Sequence, residues 1–171
     1  MPNPQTSVAD PALAIEGQLV DSYPHEISSY VSEEASDEIP FGVMVKQGTG
    51  DAQALKLAAQ ADVPIGVVVH SHAYAKDTEL GSTGLKPKVT LGVLTRGRIW
   101  VKVEEAVTPA SVVRYRAIAA GAEVAGAFRD TADANDTVAC TNFARYITSA
   151  AASGLAILEI DMSGRGSRTS D

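Results

Sequence analysis

The sequence is short of the residues on which most small-protein chemistry is built. It holds one cysteine, Cys140, in 171 residues, so no disulfide can close within the chain and a reducing compartment suits it. Aromatic residues make up 5%, with a single tryptophan, and there are three histidines. Basic charge is in deficit, 14 Lys and Arg against 21 Asp and Glu. A net charge of −7 repels phosphate backbones and argues against a nucleic-acid partner. Apolar runs such as 65–69 fall far short of the roughly 20 residues a membrane helix needs, and 1–10 has neither the basic nor the apolar stretch of a secretion signal.

Catalytic signatures are also missing. No Gly-x-Ser-x-Gly elbow occurs. Gly48-Thr49-Gly50 lacks the Lys-Ser/Thr ending of a phosphate-binding loop, and no dinucleotide fingerprint appears. Cys140 has no histidine near it in sequence and reads as a small, half-buried strand residue. The acidic stretch Glu33, Glu34, Asp37 and Glu38 reads as a solvated loop.

What is present is a hydrophobic fraction of 45%, enough for a packed body without a metal or disulfide. Short apolar runs alternate with turn signals. Phe41, Val43 and Val45 alternate with Gly42, Met44 and Lys46, and a glycine-rich turn follows at 47–51. Residues 55–57 read as a strand hemmed in by glycines and Pro64. The β-branched run 65–69 has the pattern of a strand buried on both faces. Two further runs, 89–95 and 98–103, flank Arg96-Gly97. Runs at 112–116 and 155–162 follow, and the alanine-rich stretch 117–127, broken by Gly121 and Gly126, reads as a loop. The fold class is therefore mainly β, a compact barrel or sandwich of short strands. Three prolines in 1–11 predict an extended N-terminal arm over 1–16. The β domain covers 17–162, and 163–171 has nothing to bury and reads as a flexible tail.

Two groups of residues are candidates for a site. His70 and His72 share one face if their strand continues, and two imidazoles at that spacing suit zinc. A third ligand would have to come from Asp77 or Glu79, so a small metal-dependent β-barrel hydrolase is one reading, set against two surface histidines at a strand end. The second group is on 98–103. Alternation turns Ile99, Val101 and Val103 to the core and Arg98, Trp100 and Lys102 outward, with cationic stems able to pack over the indole. An outward tryptophan beside arginine has the composition of an interface anchor. A bulge at Gly97 would flip that register. Tyr30 and Tyr74 are further interface candidates. No cofactor is implied.

The run Arg96-Gly97-Arg98-Ile99-Trp100-Val101, then Glu104-Glu105-Ala106-Val107-Thr108-Pro109 and the 112–116 strand, resembles the structural cement proteins of tailed-phage capsids. Other pieces fit in order: 17–21 and 39–43 as opening strands, 64–74 as the central strand and its exit, and 143–159 as the closing segment. Ala110-Ser111 departs from the Gly-Asp turn of that pattern. The resemblance implies a capsid decoration protein without catalysis, made in the bacterial host cytoplasm and placed on the outer surface of the virion. There it would bind the major capsid protein and self-associate, with a trimer favoured, at capsomer junctions. Other virion roles remain beside it: a head-fibre base, a tail component or a head-completion protein.

Overall fold

The computed structural model describes residues 14–20, 23–35, 38–71, 84–85 and 88–163, with backbone alone at 84–85. The first half of the chain supplies β1 (Glu26–Ser32), β2 (Ile39–Pro40), β3 (Met44–Gln47), β4 (Gln53–Lys56), β5 (Pro64–Val68) and β6 (Gly84–Leu85). The second half supplies β7 (Thr90–Lys102), β8 (Arg114–Arg116), β9 (Phe128–Arg129), β10 (Thr137–Ala139), β11 (Ala144–Tyr146) and β12 (Leu155–Asp161). Among the described residues no helix is long and apolar enough to cross a membrane.

Strands β1, β4, β3, β5 and β7 pair in that order, and β7 pairs back to β1, which closes a five-stranded barrel. Closure leaves these strands no free edge. β12 and β11 continue the sheet from the far half of β7. Strands β10, β8 and β9 form a separate small sheet, and β2 pairs with β6. The short strands read from the sequence thus assemble as a barrel with an added sheet. The 47–51 turn joins β3 to β4, where Gly48 N donates to Gln53 O at 2.8 Å.

The two runs flanking Arg96-Gly97 are one strand, β7. Glu26 pairs with Arg96 and Ile27 with Leu94, so Thr95 is an extra residue on β7. This bulge shifts the alternation. Leu91 and Val93 point into the barrel core, whereas Leu94, Ile99 and Val101 join a second core. Gly97 sits beside the bulge at φ 139°, and a side chain there would crowd His25, whose Cβ lies 2.8 Å from the position a methyl would take.

The barrel core contains Phe41, Val43, Val45, Ala54, Val68, Leu91 and Val93. The second core lies between the outer barrel wall, at Met44, Val67 and Leu94, and the β8–β12 region. Val67 and Val68 are adjacent, belong to different cores and are both fully buried, as the β-branched run in β5 requires. Cys140 lies just past β10 and is fully buried rather than half-buried; its thiol points at Val113 O, 3.5 Å away.

The acidic stretch is not simply a solvated loop. Glu33 accepts from Thr49 N at 2.7 Å and Glu34 from Lys56 N at 3.0 Å, which ties the end of β1 to the β3–β4 hairpin. Hydrogen bonding to Thr49 keeps the Glu33 carboxyl below its usual range. Asp37 is outside the described residues. Of the predicted arm, Ala14 to Glu16 are described, and Ala14 is buried against the body.

Candidate interaction surface

The far half of β7 lies between two neighbours. On one side Gly17 N donates to Trp100 O, Trp100 N donates to Gln18 O, both at 2.8 Å, and Val20 N donates to Arg98 O at 3.0 Å. On the other side β12 pairs Leu155 with Lys102, Ile157 with Trp100 and Glu159 with Arg98. Directly opposed residues of an antiparallel pair share a face. Ile99, Val101 and Val103 are fully buried, so the opposite face carries Arg98, Trp100 and Lys102 beside Glu159, Ile157 and Leu155. Trp100, Ile157 and Leu155 are all half-buried. The bulge falls before this segment, so the predicted alternation of 98–103 is the one that forms.

Charged groups frame the apolar centre. Arg98 Nε donates to Glu159 Oε2 at 2.7 Å, and Arg145 Nη2 lies 2.6 Å from Glu159 Oε1. Burial works against ionisation of Glu159, but hydrogen bonds from Arg98 and Arg145 and their charges prevail and keep its carboxyl below the usual range. Arg96 reaches Asp161 at 3.6 Å and Glu26 at 3.7 Å, and Lys102 reaches Glu16 at 3.7 Å. The guanidinium of Arg98 does not cover the indole as read from the sequence; it lies over Tyr23, 4.1 Å from the ring centre, because Glu159 draws it to that end of the strand. Flanking charges already paired within the chain can be covered by a partner without stranding an ion.

The other candidates are dispersed. Tyr30 packs onto the barrel core from β1, and Tyr74 is outside the described residues. His70 N donates to Gly17 O at 2.8 Å, and its ring stacks at 44° on Phe41 with centroids 4.3 Å apart. His72, Asp77 and Glu79 are outside the described residues. Among the described residues no group of three or more His, Cys, Asp and Glu is placed to hold a metal ion.

Sequence reasoning missed a buried ion network. Arg116, 1% exposed at its side chain, donates from Nε and Nη2 to the two oxygens of Glu104 at 2.7 and 2.9 Å and from Nη2 to Asp133 at 2.9 Å. Arg129 Nη1 donates to the same Glu104 at 3.0 Å. The hydrogen bond from Arg116 holds the Asp133 carboxyl below its usual range, and the same partners push the Arg116 guanidinium further up. Tyr115 and Arg116 are neighbours on β8 and both are buried, Arg116 against Glu104 and Asp133. In the sequence this network shows only as an arginine with acids 12 and 17 residues away, and that pattern is too common to be a signal.

The model of the phage protein family described as "Structural cement protein (E217 gp24/Pam3 gp6)" matches residues 4–161. A chain from a solved structure, "The capsid of Myoviridae Phage XM1", superposes with a TM-score of 0.68 at 17% identity, covering 94% of this chain and 98% of that chain. At that identity the likeness is one of fold. No curated protein matches.

Proposed function

This chain belongs to the phage structural cement protein family, and from that premise we propose that it binds the outer surface of the major capsid protein lattice and clamps neighbouring subunits against the pressure of packaged DNA. Its role as a capsid cement, or decoration, protein follows from the family match over most of the chain, joined to the fold it shares with a phage capsid chain. That match is the single observation that carries the reading. Placement on the outer surface, and work done by binding alone without catalysis, are the finer parts of the proposal.

Two features support a clamp. The closed barrel and second core make a rigid body, and rigidity keeps the conformational cost of binding low. The β7–β12 face offers Trp100, Ile157 and Leu155 inside a frame of paired charges, the arrangement of a buried centre with a polar rim. We assign the contact to Arg98, Trp100 and Lys102. A stable contact needs about 1,600 Å² in total, and a clamp must touch more than one subunit, so a second surface takes part. In this reading 17–162 is the β domain, 1–16 an arm that reaches a neighbouring subunit, 163–171 a tail, and copies self-associate as trimers at capsomer junctions in virions made in the host cytoplasm.

The test is co-sedimentation of the purified chain with capsid shells that lack it. Saturable binding of many copies per shell supports the proposal, and binding of none, or of a few at one vertex, contradicts it and favours a tail or head-completion role. The mass of the free protein by analytical ultracentrifugation tests the trimer separately.

A further inference from the structure

A cleft of about 440 Å³ opens next to the β7 face. Phe41 and Val43 line one side, Ala122 and Val124 the other, and Lys102 stands at the end it shares with the β7 face. The second wall is a tight hairpin in which Ala120 and Glu123 exchange backbone hydrogen bonds at 3.3 and 2.9 Å. Its base is fixed: Arg116 N donates to Ala127 O at 2.8 Å, Gly126 N to Arg116 O at 2.7 Å and Met44 N to Gly126 O at 2.9 Å. The hairpin exposes Ile118 at 37% and Val124 at 40%, and Glu123 is the single charged residue in 117–127. Alanine and glycine have no side-chain rotamer freedom to lose, so covering this tip costs little entropy.

The charges around the cleft set the partner's chemistry. Glu104 is taken by Arg116 and Arg129, and Glu16 opposes Lys102. Glu123 is exposed and has no ion pair among the described residues. We propose that this cleft seats a segment of the major capsid protein that places an apolar side chain between Val43 and Val124 and a lysine or arginine against Glu123. The inference rests on the capsid reading above and names the second surface which that reading requires. Because Lys102 belongs to both surfaces, one partner lying across β7 reaches the cleft without a break.

The experiment measures binding of Ala122→Trp and Glu123→Lys chains to capsid shells. Both positions are exposed, so the thermal midpoint should match that of the unaltered protein. An indole at 122 fills the cleft and should weaken binding at least tenfold. Charge reversal at 123 should weaken it severalfold and flatten its salt dependence, with Glu123→Gln in between. Folded variants that both bind within twofold of the unaltered chain overturn the cleft while leaving the capsid reading intact. Failure of the unaltered chain to bind shells overturns the capsid reading and the cleft together.

Discussion

Arg116 and Glu104 form a two-pronged ion pair, at 2.7 and 2.9 Å, in which the side chains are 1% and 7% exposed. The pair joins the stretch just after β7 to β8, and the second arginine on Glu104, Arg129, adds β9. Removing Glu104 takes two of the three hydrogen bonds Arg116 makes to acids and leaves it buried against Asp133 alone, which costs up to about 3–5 kcal/mol. Glu104→Ala should therefore lose about that much stability in urea unfolding, whereas Arg145→Ala, at the exposed end of the Glu159 pair, should lose less than about 1 kcal/mol.

Gly66 lies where β5 passes close to β7 in the barrel wall. A methyl group there would overlap the Leu94 carbonyl oxygen and crowd Val93, at a φ of 155°. Gly66→Ala should destabilise by about 1–3 kcal/mol through overpacking. Gly121→Ala is the control: no other atom lies within 4 Å of the added methyl, so only the cost of its positive φ is paid. Equal losses in the two variants would show that close approach at Gly66 is not what matters.

Acid sensitivity has a definite sign. Glu33, Asp62, Glu105, Asp133, Glu159 and Asp161 all have carboxyls held below their usual range. A carboxyl depressed in the fold stabilises it fully above the unfolded value, near 4, and that contribution is lost as pH falls through the lower folded value. The thermal midpoint should be nearly flat from pH 7 to 5 and then fall steadily below about pH 4.5. A midpoint that rises on acidification would contradict these assignments.

Trp100 is half-buried on the outward face of β7. Trp100→Ala should cost about 1–2 kcal/mol, below the 3–5 of a buried tryptophan, and leave the chain folded at 25 °C. Its binding to capsid shells should fall at least tenfold. A folded Trp100→Ala chain that binds as well as the unaltered one removes this face from the contact.

Much of this was legible in the residues, for reasons of periodicity. The alternation of 98–103 placed Trp100 correctly because one face is fully buried and a one-residue slip would expose Ile99, Val101 and Val103. The run 65–69 announced a strand between two cores. The bulge was marked only by Gly97, two residues from its place at Thr95, because that place depends on pairing with β1, sixty-odd residues away in sequence, and the two runs are one strand. The Arg116 network was hidden for a related reason, since its members come from separate segments and no local spacing ties them together. The hydrogen bonds of Glu33 and Glu34 were not legible in the acidic cluster because their donors, Thr49 N and Lys56 N, lie on a hairpin brought alongside only by the barrel.

Cryo-electron microscopy of particles that carry the protein shows where on the capsid it sits and which face it turns inward. Density for many copies is expected on the outside of the shell, with Trp100 and the 117–127 hairpin turned toward the major capsid protein. Density confined to a single vertex or the tail, or copies on the shell with that face turned to solvent, would contradict that placement.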